Sequence, residues 1–267
     1  MGKYSRYINR AILFLAAVCL SAPGAFAANQ PLQDLLSRTS QQVAKFLDQF
    51  SDVKCTEVVT QEKLRPDGKV EVKAETKFDY LVILTNTNGE LSLDESRLPL
   101  QETKTSKSKN TSLLVSNGFA TLFLIFHPYY AGSFEFTDLG AEVIGERAVE
   151  KVHFQHLRNT RSPAALALRG REFPLELSGT AWIDPKSASI VKIEAGVEEG
   201  LDDIGMKAMR SQVEFGPVEF HNAAESYWFP VEASVEVETP RQHWRNTHHF
   251  TDYKKFSVDT EEKVAQK

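Results

Sequence analysis

Apolar and charged residues alternate from Lys69 to Leu84. Val70, Val72, Ala74, Phe78, Tyr80, Val82 and Leu84 fall on one phase; Glu71, Lys73, Glu75, Lys77 and Asp79 fall on the other. Period two over such a length is incompatible with a helix and specifies a strand with one dry and one wet face. A half-wet strand belongs to an antiparallel sheet, because parallel sheets are covered on both faces. The stretch 53–64 precedes it, and Arg65-Pro66-Asp67-Gly68 lies between them. Proline fixes φ in such a turn and glycine accepts positive φ, so the two stretches form a hairpin.

The same grammar returns downstream. Stretches 175–184 and 189–197 flank Asp184-Pro185-Lys186-Ser187-Ala188, and 209–215 and 218–221 are separated by Gly216-Pro217, a break or bulge. Along 227–237, Tyr227, Phe229, Val231, Ala233, Val235 and Val237 share one phase; Trp228, Glu232, Ser234 and Glu236 share the other. Further strands are expected over 132–136, 144–157 and 241–253. Roughly ten strands at this spacing describe a meander, and the absence of a βαβ alternation excludes a doubly wound parallel sheet. Ahead of the strands, Leu32, Leu35, Leu36, Val43, Phe46, Leu47 and Phe50 recur at helical spacing, with Pro31 suited to the first turn. The fold class is therefore α+β: an N-terminal helix over 31–50 laid across the apolar side of a curved antiparallel sheet.

Residues 1–27 carry Lys3, Arg6 and Arg10, then a short apolar run from Ala11 to Ala22, then Ala25-Phe26-Ala27. This is the pattern of a cleaved secretory signal peptide, and the run is too short to span a bilayer. Val18 before Cys19 is too bulky for lipid attachment. One domain over 28–267 is expected after cleavage, in the periplasm. Taking three cations from the chain's 31 leaves 28 Lys and Arg against 36 Asp and Glu, a net charge of −8. An acidic chain without a basic stripe is not a nucleic-acid binder. Cys55 is then the only cysteine; it reads as a small buried hydrophobe.

Chemical signatures are sparse. The sequence holds no G-x-S-x-G, H-E-x-x-H, P-loop or G-x-G-x-x-G pattern. His153 and His156 fall on opposite faces of a strand, as do His248 and His249, and His243 and His249 are too far apart to share an ion. No catalytic residue, cofactor or metal site is assigned. Asp202-Asp203 and Glu198-Glu199 read as solvated loop charge. The stretch 111–126 is nearly all apolar after Asn117, and a short helix over 119–126 is expected, ended by His127-Pro128. It either plugs the core or covers a lipid-binding hollow.

The segment Gly179-Thr180-Ala181-Trp182-Ile183-Asp184-Pro185-Lys186, continuing to Ile190-Val191-Lys192-Ile193-Glu194, resembles the characteristic hairpin of the LolA/LolB family. Tyr227-Trp228-Phe229-Pro230-Val231 and Asp252-Tyr253-Lys254-Lys255-Phe256 are similar to stretches of outer-membrane lipoprotein-sorting proteins of that superfamily. The resemblance implies an incomplete antiparallel β-barrel whose concave face is covered by helices, with acyl chains or lipoproteins as partners. The ligand-contacting residues expected here are Phe119, Leu122, Phe123 and Phe126 on the short helix, with Phe229, Val231 and Val235 as the facing wall. The alternatives are a periplasmic sensor or adaptor with a closed core, meeting a periplasmic or membrane protein through loops 101–110 and 161–171, and an enzyme with a dispersed site around Asp202, Asp203 and His221. An integral outer-membrane barrel is disfavoured, because the outward strand phase carries Glu and Lys.

Overall fold

The computed structural model describes residues 29–87, 90–100, 122–168, 171–197, 205–220 and 227–255. The signal-peptide segment, Phe119, the 101–110 loop, Glu198, Glu199, Asp202, Asp203 and His221 lie outside the described residues.

Helix α1 spans Asn29–Phe50. Leu32, Leu35, Thr39, Val43, Leu47 and Phe50 are buried along one face, the stripe anticipated from the spacing. It ends where Ser51 N–H donates to Leu47 O and Asp52 N–H to Gln49 O. The strands follow: β1 Val53–Leu64, β2 Val70–Thr87, β3 Glu90–Pro99, β4 Phe134–Ile144, β5 Arg147–His156, β6 Ala165–Leu168, β7 Arg171–Pro174, β8 Leu177–Ile183, β9 Ile190–Val197, β10 Ala208–Val218, β11 Tyr227–Glu238 and β12 His243–Lys255. Ten of them form one antiparallel sheet in the order β3-β2-β1-β12-β11-β10-β9-β8-β5-β4, while β6 and β7 pair alone. The sheet has two edges, β3 and β4, so the barrel is incomplete.

The turns form for local reasons. At 65–68, Gly68 takes φ +79°, its N–H donates to Arg65 O, and Asp67 Oδ1 accepts from Lys69 N–H. Between β8 and β9, Asp184 Oδ1 accepts from the N–H of Lys186 and of Ser187, an Asx arrangement that reverses the chain.

From Val72 on, the phase of β2 is as expected: Ala74, Tyr80 and Val82 are buried, Val72 and Phe78 half-buried, and Glu71, Lys73 and Lys77 exposed; Val70, at the register irregularity that opens the strand, is exposed instead. Across the wet face, cross-strand neighbours alternate in sign along Arg210, Glu236, Arg245, Glu62 and Lys73, and Arg245 pairs with Glu62 at 2.7 Å. Opposite charges facing across strands favour this register. The dry face meets α1: Phe46 packs against Phe215 and Phe229, and Phe50 against Phe229. The guanidinium of Arg38 donates to Pro185 O at 3.0 Å, pinning α1 over the β8–β9 turn.

Two local expectations change. The 119–126 helix is, within the described residues, a single 3-10 turn at Leu122–Phe126 with all five side chains buried. A tight turn inserted into the core exposes no face, so no amphipathic stripe exists there. In β11 the phase breaks at Val231. Glu214 pairs with Glu232, but Phe215 pairs with Pro230, so Val231 is the extra residue of a bulge. Val231 is half-buried, and a methyl group placed on Gly216 would meet its Cγ1 at 3.0 Å.

Candidate functional site

A cleft of about 170 Å³ lies between the C-terminal half of α1 and the dry face of the sheet. Its apolar surface comes from Phe46 of α1, Phe123 of the 3-10 turn, Ile190 of β9, Phe215 of β10, and Tyr227 and Trp228 of β11. Gln42, Lys45 and Gln49, one stripe of α1 at i, i+3 and i+7, form one rim; Ser189 stands on the other side. The rings are held from behind. Trp228 Nε1–H donates to Ile190 O at 2.7 Å, and the Arg147 guanidinium lies 4.4 Å from the Trp228 ring. Lys255 Nζ sits 4.1 Å over the Tyr227 ring. Phe46 and Phe123 meet edge to face at 4.5 Å.

The residues expected to line a ligand hollow divide between this cleft and a filled core. Phe123 lines the cleft. Leu122 and Phe126 are buried in the core cluster, with Phe126 against Phe136 and Phe154. Phe229 is wholly buried beneath Phe46, Phe50 and Tyr253. Val235 is buried on the dry face, and Val231 sits at the bulge; neither lines the cleft.

A second feature was not anticipated: a charged cluster on the dry face at the β1–β3 and β12 end. The Glu57 carboxylate is fully buried and accepts from Arg97 Nε at 2.6 Å and Nη2 at 3.0 Å. Arg97 also reaches Glu95 at 2.8 Å, to which Tyr80 OH donates at 2.9 Å. His248 Nδ1 lies 2.8 Å from Glu57. A carboxylate only accepts, so that nitrogen carries the hydrogen. Burial alone would push the Glu57 carboxyl up. The hydrogen bonds from His248 and Arg97, with the Arg97 charge, outweigh it and hold the group below the usual carboxylate range. Burial, and then the Glu57 charge, pushes the neighbouring Cys55 thiol well up, so it stays protonated and inert.

The cluster had a legible signal. Glu57 shares its phase with Val53, Cys55 and Val59, and His248 shares its phase with Trp244 and Phe250. A charge on a dry phase requires a buried partner.

The expected histidine geometry holds: His156 and His248 are buried, while His153 is half-buried and His249 exposed. Among the described residues, no three His, Cys, Asp or Glu side chains stand close enough to hold a metal ion, and no helix is long and apolar enough to cross a membrane.

No family model matches the sequence, and no curated protein matches it. Solved structures do match. The chain is similar to a DUF1329 family protein from Desulfovibrio piger, at 9% identity over 86% of this chain and 95% of the other, with a TM-score of 0.44. It is also similar to an outer membrane lipoprotein-sorting protein domain from Vibrio parahaemolyticus, at 12% identity over 85% and 95%, with a TM-score of 0.39. The lipoprotein LppX of Mycobacterium tuberculosis matches at 12% identity over 85% and 99%, with a TM-score of 0.25.

Proposed function

We propose that the protein is a periplasmic carrier that holds an acyl chain, free or attached to a lipoprotein, in the cleft beneath α1. A signal peptide over 1–27 is cleaved in this reading, and one domain over 28–267 does the binding. The observation that carries it is the cleft's construction: an aromatic interior opening past a polar helix stripe. Such a surface suits a molecule with a greasy end and a wet end. Each buried methylene contributes about 0.8 kcal/mol, so no catalytic or metal-binding group is needed. Its volume of about 170 Å³ is room for the end of one chain.

One observation favours a second reading. Phe123, Phe126 and Phe229 are each 1% exposed or less, so the core around the 3-10 turn is filled, as in an interaction module without ligand. Phe123→Ala separates the two. In a carrier the variant takes up a fluorescent fatty-acid probe with altered affinity, because its ring bounds the cleft. In a closed module the wild type binds no probe, and the variant only loses about 3–5 kcal/mol of stability. Probe titration and thermal melting of both proteins decide the matter, and a wild type that takes up neither probe nor lipoprotein ends the carrier reading.

A further inference from the structure

Resting on the acyl-chain reading, we propose a narrower ligand class: a single-chain carboxylate amphiphile, a fatty-acid anion, with its head group at Lys45. Among the described residues, Lys45 is the one charged side chain lining the cleft. Among the described residues it makes no ion pair, although the chain as a whole carries more acids than bases. A cation without a salt-bridge partner on the polar rim of an apolar cleft selects for the sign of what enters tail first. Gln42, Gln49 and Ser189, whose side chains can donate hydrogen bonds, line the same cleft. A carboxylate is acceptor-only and matches such a ring of donors. Among the described residues no carboxylate lines the cleft, so a cationic head finds no partner in them. One ammonium balances the single charge of a carboxylate and leaves part of a phosphate monoester's charge unmet. The volume of about 170 Å³ falls below the 300–1,000 Å³ range of ordinary ligand pockets, which fits the end of one chain and not a bundle.

Calorimetry of the purified protein with decanoate, decanol and decyltrimethylammonium, at a pH where the carboxylate is ionised, tests this. Decanoate should bind about fivefold more tightly than decanol, the factor for a solvent-exposed ion pair, and the ammonium compound should bind worst. Lys45→Gln should bring decanoate down to the affinity of decanol, and Lys45→Arg should retain the preference. Equal affinities for decanoate and decanol in the wild type, or an unchanged preference in Lys45→Gln, would overturn the head-group assignment and leave the acyl-chain reading standing. Binding of none of the three would remove that reading, and the head-group assignment with it.

Discussion

Glu57 occupies a buried phase of β1 that is otherwise filled by Val53, Cys55 and Val59, and it is tolerated there because two donors reach it. Removing a donor strands the charge. Arg97→Met should destabilise the protein by about 3–5 kcal/mol, seen as a lower urea midpoint. The acid limb of stability carries the same signature. The folded-state pKa of Glu57 lies below its unfolded value of about 4.3. The folded state therefore binds fewer protons at this site. Its contribution is complete above that pH and drains as pH falls through the depressed folded value. Glu57→Gln should give a flatter loss of stability below about pH 4.3 than the wild type, measured by urea titrations at successive pH values. An equally steep acid limb in the variant would place the acid sensitivity elsewhere.

At the scale of elements, the hairpins and α1 were legible because their signals are local: period two, period 3.6, and turns built on Pro66-Asp67-Gly68 and Asp184. The bulge was legible only on its β10 side, where Gly216-Pro217 read as a break or bulge; that Val231 is its extra residue depends on which residue of β10 stands opposite, and spacing within β11 does not fix that. The cleft was legible in part for the same reason. Phe123 was singled out, but Gln42, Lys45 and Gln49 lie off the apolar stripe of α1, and only the approach of the sheet turns them into a rim. Close approach of strands is equally invisible in one dimension. A Cβ added to Gly179 in β8 would lie 1.9 Å from Glu194 O and 2.8 Å from Phe154 Cζ. Gly179→Ala must therefore push β9 or the Phe154 ring aside, at a cost of roughly 3 kcal/mol, checked by thermal melting. A variant as stable as the wild type would mean that β8 and β9 separate easily.

For the whole molecule, the strand order matters more than any single contact. The β4 edge, with Leu139 and Val143 exposed, is blunted by a bulge in which Gly140 takes φ +86°. The two runs of sequential strands, β1 to β3 and β4 to β12, meet in the sheet along the ladder between β1 and β12. A chain ending after Gln242 would lose the middle of its sheet and not its margin; it should show no cooperative thermal transition, and a sharp one would refute the central role of that ladder. The same ladder sets the order of events during synthesis. Glu57 and His248 are 191 residues apart in the chain, and contacts so distant form late because the intervening loop must close first. Until β12 is made, nothing in the sheet joins β1–β3 to the strands that follow, and Glu57 lacks its His248 partner. Anything that holds a nascent chain extended works with this topology, because the sheet has no complete form to reach before its final strand is made.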